Sequence, residues 1–151
     1  MTPTPRHQAR EAALQILYFW QMGGVQPSAA IGSFFSEHQP EATDATRVFA
    51  ESLVYGTIGH IADLDRLIEQ HSKNWRLERI AVIDRLVLRM AAFELQHQPE
   101  TPAPIVMNEA IELARTFSGD ESVPFVNGVL DAMRKAMGTE PGGANGDVER
   151  S

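Results

Sequence analysis

Apolar residues recur at steps of three and four along nearly the whole 151-residue chain, and alternating, strand-like runs are scarce. This spacing places apolar side chains on one face of a helix, because an α-helix has about 3.6 residues per turn. In residues 5–22, for example, Ala13, Ile16, Leu17 and Trp20 share one stripe. We therefore predict an all-α fold in which the helices bury their stripes against one another.

Residues that favour helix starts and stops divide the chain into six predicted helices. Thr4 followed by Pro5 is a favourable start, because the hydroxyl can cap the first turn and proline fits its first position. Gly23-Gly24 ends this helix, and Ser122 is expected to cap the last helix as Thr4 caps the first. The predicted helices span residues 5–22, 28–38, 43–72, 77–95, 106–117 and 123–137.

The apolar stripes also predict which side chains face the core and which face solvent. In the third helix, Phe49 belongs to the apolar stripe and is expected in the core. In the fourth helix, the face opposite to the apolar stripe is expected to expose Arg79, Arg85 and Arg89.

The third predicted helix is unusually long, at about 45 Å for about 30 residues. Gly56 and Gly59 each cost this helix about 1 kcal/mol relative to alanine, and close approach of another helix would compensate. Residues 96–104 contain three prolines, which predict a loop between two helical sub-bundles. Residues 1–137 are thus predicted to form one helical domain, and the glycine-rich, acidic residues 138–151 a disordered tail.

The chain contains no cysteine, which excludes disulfides, thiolate metal sites and cysteine nucleophiles. This composition fits a reducing cytoplasm. No apolar run reaches the roughly 18 to 20 residues that span a bilayer, and residues 1–10 do not have the pattern of a signal peptide. We therefore expect a cytoplasmic protein with no membrane partner.

Motifs of catalysis are also scarce. The chain has no phosphate-binding loop of the type GxxxxGK[ST], no GxSxG and no HExxH. Glu94 and His97 have the ExxH spacing of di-iron helical bundles, but such sites need two of these motifs and two more glutamates. An exposed glutamate and a loop histidine are the favoured interpretation of this pair. We therefore expect no enzyme activity, no metal and no cofactor.

The formal net charge of −7 hides an uneven distribution. Residues 1–10 carry two arginines and no acid (+2), and residues 73–89 carry five basic and two acidic residues (+3). Residues 94–121 carry six acids and one arginine (−5), and residues 138–151 carry three acids and one arginine (−2). Small basic regions beside an acidic one suggest two partners of opposite charge.

Two segments are candidates for RNA binding. Arg6 and Arg10 are four residues apart on one helix face, and the start of a helix favours phosphate groups. An ordinary solvated helix start is the alternative. In residues 122–131, Phe125 can stack on an unpaired base and Gly128 can admit a ligand or another backbone. The alternative is that Phe125 belongs to the core and Gly128 marks a helix crossing.

Seven stretches, in the same order along the chain, are similar to the NusB family of transcription antitermination factors. Together they cover about residues 6–137. A related domain also opens some ribosomal RNA methyltransferases, but this chain has no room for a methyltransferase domain, so we expect the standalone factor. The stretches are RHQAREAALQILY at 6–18, LDRLI at 64–68, NWRLER at 74–79, IDRLVLR at 83–89, FEL at 93–95, NEAIELA at 108–114 and SVPFVNGVLD at 122–131.

The resemblance implies a NusB-like fold of two small helical sub-bundles and an adaptor without catalysis. It implies binding to boxA RNA jointly with NusE, a small-subunit ribosomal protein, within the antitermination complex of RNA polymerase on ribosomal RNA operons. The residues that match RNA-binding positions of the family are Arg6, His7, Gln8, Arg10, Tyr18, Arg89, Ser122, Phe125 and Asn127. Those that match NusE-facing positions are Asp84, Ala103 and Glu109.

Two departures from the family pattern affect these expectations. His7 and Gln8 stand where the family often has further arginines, and each lost phosphate contact lowers RNA affinity and its salt dependence. We therefore expect weak RNA binding without NusE. Ala103 is small where an aromatic residue can occur in the partner surface. The competing hypothesis is a helical interaction scaffold or homodimer that does not bind RNA.

Overall fold

Seven α-helices follow one another in the computed structural model, which describes residues 4–73 and 76–138. The prediction of an all-α fold is confirmed, and the described residues contain no strand. Two short 3-10 turns, Leu77–Arg79 and Asp120–Ser122, precede α5 and α7. The helices are α1 (Pro5–Gly23), α2 (Pro27–His38), α3 (Asp44–Gly59), α4 (Ile61–His71), α5 (Val82–His97), α6 (Ala103–Phe117) and α7 (Val123–Met137).

Several predicted helix ends are confirmed by their hydrogen bonds and backbone angles. The hydroxyl of Thr4 accepts a hydrogen bond of 3.1 Å from the amide of His7, which caps the start of α1. Gly24 and Gly138 end α1 and α7 in the left-handed conformation, with φ of 67° and 74°. Glycine reaches this conformation without the steric cost that a Cβ atom imposes.

The prediction of one long helix over residues 43–72 is wrong, because it is interrupted at His60. The backbone leaves the helical region there, and both the amide and the ring Nδ1 of His60 lie within hydrogen-bonding distance of the Gly56 carbonyl, at 3.1 and 2.9 Å. These contacts satisfy a carbonyl that the end of α3 would otherwise leave unpaired. Among the described residues, a Cβ at Gly59 would meet no atom within 4 Å, so none of the described helices approaches closely there.

The first compact unit ends at His60 and contains α1, α2 and α3. Helix α1 packs against both of the others. Its buried face includes three alanines, Ala9, Ala12 and Ala13, whose small side chains bring the neighbouring helix backbones close. Trp20, predicted on the same stripe, is half-buried.

The second compact unit begins at Ile61 and contains α4 to α7, with α5 at its centre. Helix α5 packs against α4, α6 and α7, and every residue from position 86 to position 94 is buried. A helix surrounded by others has no solvent face for its polar residues. The prediction that α5 exposes Arg85 and Arg89 on a basic face is therefore wrong, since Arg85 is half-buried and Arg89 is buried.

The division into two sub-bundles was predicted at the wrong place. Residues 96–104 join α5 to α6, and these two helices pack together within the second unit. The prolines of this segment therefore mark a turn inside a bundle. The predicted disordered tail lies outside the described residues apart from Gly138, as do Asn74 and Trp75. Within the described ranges, no helix combines the length and apolarity that a membrane crossing needs.

Candidate nucleic-acid interface

The two arginines at the start of α1 lie against one aromatic ring. The guanidinium carbon of Arg6 is 3.8 Å from the centre of the Phe49 ring, and that of Arg10 is 5.3 Å from it. Both distances are within the range of cation–π attraction. The two side chains differ in accessibility, because Arg6 is exposed whereas Arg10 is only 3% exposed. Only Arg6 therefore presents its charge at the surface.

The backbone amides at the start of α1 are less available than the sequence suggested. Pro5 has no N–H, the amide of His7 donates to Thr4 Oγ1, and the amide of Gln8 donates to the Thr4 carbonyl at 2.9 Å. The first turn contains no acidic residue. An anion at this end would consequently be attracted by the Arg6 side chain and the helix dipole rather than by a row of free amides.

The other predicted RNA-binding residues of the first unit are already in contact with protein groups. His7 Nε2 lies 3.1 Å from Glu11 Oε2, and the backbone carbonyl of Gln8 accepts a hydrogen bond of 3.3 Å from Gln39. Tyr18 is half-buried, and its ring meets that of Phe19 edge to face at 6.3 Å. Eleven residues separate His7 from Tyr18, or about three helical turns, which places both on one face of α1.

Arg89 holds two helices of the second unit together. Its Nε and Nη2 atoms donate to the two carboxylate oxygens of Asp65 on α4, at 2.7 and 3.1 Å. The fork of a guanidinium matches a carboxylate in this two-bond geometry. Arg89 is 6% exposed, so the structure assigns it a part in the bundle core, and an RNA contact would require it to leave Asp65. Burial and the charge of nearby Arg89 lower the pKa of Arg85.

Asp84 and Ser122 were predicted on different surfaces, yet they bond to each other. Ser122 Oγ donates to Asp84 Oδ2 at 3.0 Å and lies 2.8 Å from Ser118 Oγ. Asp84 is 6% exposed, and its other oxygen, Oδ1, is buried without a hydrogen-bond partner among the described residues. The expectation that the Ser122 hydroxyl caps α7 is wrong, because it makes no cap hydrogen bond there.

We expect Ser122→Ala to lower the free energy of unfolding by about 1–3 kcal/mol, because it leaves the buried carboxylate of Asp84 without its hydroxyl donor. Urea denaturation measures this change. The same substitution in an Asp84→Asn background should cost less, since a neutral amide is cheaper to leave unpaired. An equal cost in both backgrounds would show that Ser122 stabilises the fold without acting on Asp84.

Phe125 forms a wall shared by two clefts of the second unit. One cleft, of about 410 Å³, is also lined by Asp84 and Ser122, and the other, of about 480 Å³, is also lined by Gly128. Both volumes are in the range of small-ligand sites. Phe125 is half-buried. Its exposure is therefore intermediate between that of a ring free to stack on a base and that of a core residue, the two interpretations of the sequence. Asn127 is exposed.

Gly128 does not mark a helix crossing. It is exposed, and a Cβ atom at this position would meet no atom of the described part of the chain within 4 Å. The glycine therefore leaves open space beside Phe125 and admits no neighbouring backbone. On the same helix, hydrogen bonds from Arg134 and Lys135 lower the pKa of Asp131.

The remaining partner-side residues lie on α6. Ala103 is the first residue of this helix and Glu109 is six residues further on, about 9 Å along the axis. Both are half-buried. Helix α6 begins three residues earlier than predicted, so Ala103 belongs to the helix and not to the preceding loop.

The Glu94–His97 pair differs from its predicted environment. Glu94 is buried rather than exposed, and His97 is the last residue of α5, where its ring stacks on Phe93 at 5.2 Å. Among the described residues, no group of three or more histidine, aspartate or glutamate side chains has the arrangement of a metal site.

Two contacts of the candidate residues were missed from the sequence. Phe49 was assigned to the core, and its helical spacing does not distinguish a core ring from one that holds arginines. Asp65 is 24 residues from Arg89, so only packing reveals their ion pair. One feature of the sequence could have indicated this ion pair. An acid on α4 and an arginine on α5 both occupy positions that face the core between these helices.

Over the described residues, the chain is an all-α protein of helices in two compact units, with an exposed arginine in the first turn of α1. The family model described as "NusB family" matches residues 7–135 of the chain. This chain therefore belongs to the NusB family.

Individual relatives agree with this assignment. The transcription antitermination protein NusB of Solibacter usitatus is 42% identical over 132 residues, which cover 87% of this chain and 90% of that protein. The NusB of Lysinibacillus sphaericus is 46% identical over 125 residues, covering 83% and 93%. A crystal structure of antitermination factors NusB and NusE in complex with double-stranded RNA contains a chain with a TM-score of 0.80 and 27% identity, covering 87% of this chain and 97% of that one.

Proposed function

We propose that this chain is a transcription antitermination factor that binds boxA RNA together with NusE and promotes processive transcription of ribosomal RNA operons. It would do so as a non-catalytic adaptor in the antitermination complex of RNA polymerase, in the cytoplasm. Membership of the NusB family supports this proposal, because the curated relatives are transcription antitermination proteins. A solved relative bound to NusE and RNA supports the choice of partners.

The observation that carries the RNA-binding part is the placement of Arg6. Its guanidinium lies exposed over the Phe49 ring, in the first turn of a helix that has no acidic residue in that turn. A phosphate there gains the attraction of the guanidinium and of the helix dipole together. His7 and Gln8 would add weaker polar contacts. We assign the NusE contact to the Asp84 cleft and to α6 around Ala103 and Glu109, where the acidic charge of residues 94–121 would attract a basic protein.

The test is a titration of a boxA-type RNA oligonucleotide in the presence of NusE. We expect Arg6→Glu to weaken RNA binding about tenfold or more, because a phosphate contact is replaced by repulsion, and to reduce the slope of log affinity against log salt by about one. NusE binding, measured separately by calorimetry, should stay unchanged.

The matched control is Arg66→Glu, which makes the same charge change at an exposed arginine of α4 whose Nη1 atom lies 2.9 Å from Asp63. Each substitution removes one positive charge and adds one negative charge, so both variants carry −9 instead of −7. If the two variants lose RNA affinity equally, total charge and not the Arg6 position controls binding. The titration is repeated without NusE, where the reduced arginine cluster predicts weaker binding.

The second candidate function is a scaffold or homodimer that does not bind RNA. Light scattering coupled to size exclusion, before and after addition of the RNA and NusE, separates the two. A stable dimer that the RNA leaves unchanged favours the scaffold. A complex of chain, NusE and RNA favours the antitermination factor.

A further inference from the structure

The Phe49 ring lies beneath the charged start of α1. Phe49 belongs to α3 and is only 8% exposed, so its position is set by the packing of α1 on α3. The guanidinium carbons of Arg6 and Arg10 are 3.8 and 5.3 Å from the ring centre. One buried aromatic side chain therefore contacts both cations.

This arrangement needs a stabilising partner, because its electrostatics are unfavourable without one. Like charges four residues apart on a helix repel, and cations in a first turn oppose the positive end of the helix dipole. A carboxylate beside Arg6 would neutralise its charge, and the first turn, which includes Arg6, contains no acid. An aromatic face attracts a guanidinium and leaves its net charge and its N–H donors available.

We propose that Phe49 is a positioning residue for RNA binding, which holds the Arg6 guanidinium in place for a phosphate without neutralising it. Arg10 is buried against the same ring. This inference rests on the proposed function and assigns its RNA contact a second residue, on a different helix. The benefit is pre-organisation, since a side chain that is already ordered loses less entropy when it binds.

The test is a double-mutant cycle with Phe49→Leu and Arg6→Ala, measured as affinity for a boxA-type RNA oligonucleotide with NusE present. Leucine keeps an apolar side chain in the core and removes the π face. We expect Phe49→Leu to weaken RNA binding about three- to tenfold. In the Arg6→Ala background the same change should weaken it less than about twofold, because the residue it acts through is gone.

Phe49→Tyr is the matched control, since it retains an aromatic face and should bind RNA within about twofold of the unmodified chain. Thermal unfolding of all variants and their NusE affinity report on the fold. A further measurement needs no variant in the core: the side-chain N–H protons of Arg6 should be shifted upfield in NMR spectra by the ring current of Phe49. Absence of that shift would overturn the inference.

The outcomes separate this inference from the proposed function. If the unmodified chain does not bind the RNA, the proposed function and this inference are both wrong. If the unmodified chain binds and Phe49→Leu binds equally well, only the positioning role is wrong. An equal loss from Phe49→Leu with and without Arg6 also overturns it, because Phe49 would then act on the fold as a whole.

Discussion

Arg89→Ala is expected to lower the free energy of unfolding of the second unit by about 3 kcal/mol, because it removes the guanidinium that pairs with the carboxylate of Asp65. The value is at the low end for a broken buried pair, since the side chain of Asp65 keeps 24% of its surface exposed. Urea denaturation followed by circular dichroism measures the change. The control is Arg66→Ala on α4, where an exposed ion pair with Asp63 should contribute less than about 1 kcal/mol.

A second substitution shows whether Arg89 acts through Asp65. Adding Asp65→Ala to Arg89→Ala also removes the carboxylate that has lost its partner. We expect the double variant to recover part of the free energy of unfolding that Arg89→Ala loses. RNA affinity of the folded variants distinguishes this structural part from the RNA contact that the family resemblance implied. If Arg89→Ala is as stable as the unmodified chain but binds RNA weakly, Arg89 contacts RNA and does not act mainly in the core.

Arg10→Glu is expected to destabilise the first unit by about 3–5 kcal/mol, and the loss of RNA binding would follow from the loss of the fold. Arg10 is 3% exposed, so its replacement buries a carboxylate. That carboxylate would also face the negative side of the Phe49 ring that now attracts the guanidinium. Thermal unfolding detects the change as a lower transition temperature for the part of the chain that contains α1 to α3.

Arg6→Glu is the natural comparison, because it makes the same change of charge on the same helix at an exposed position. It should unfold at nearly the same temperature as the unmodified chain while binding RNA more weakly. Arg10→Met, which keeps an apolar stem of similar length, should be less destabilising than Arg10→Glu. If Arg10→Glu folds normally and only RNA binding falls, the guanidinium of Arg10 reaches solvent in the working protein.

The sequence predicted the local structure of the chain well wherever one or two residues determine it. Thr4 and Pro5 start α1 as expected, and Gly24 and Gly138 end α1 and α7, because hydroxyl caps and the left-handed conformation depend on a few neighbouring atoms. The prediction of one continuous helix over residues 43–72 was wrong, because the helix is interrupted at His60. Its ring and amide end α3 through the Gly56 carbonyl, and Gly59, the residue before it, had been interpreted as a point of close helix approach and not as a helix end.

Surface residues were predicted less reliably than helices. Helical spacing assigned Arg85 and Arg89 to an exposed face of α5, since opposite faces of a helix usually differ in polarity. Helix α5 instead packs against three other helices, so Arg89 is buried and pairs with Asp65. Asp84 and Ser122, assigned to separate surfaces from the family pattern, line one cleft and share a hydrogen bond.

The amino-acid sequence by itself determined the all-α class, most helix ends and the family, because periodicity, caps and motifs are properties of neighbouring residues. Only the tertiary structure decided which arginines can meet a partner. Arg6 and Arg10 lie one helical turn apart and both contact the Phe49 ring of α3, yet Arg6 is exposed and Arg10 is buried in the packed unit. Burial and ion pairing depend on helices that are distant in the chain. The sequence of a single helix does not determine how many other helices pack around it.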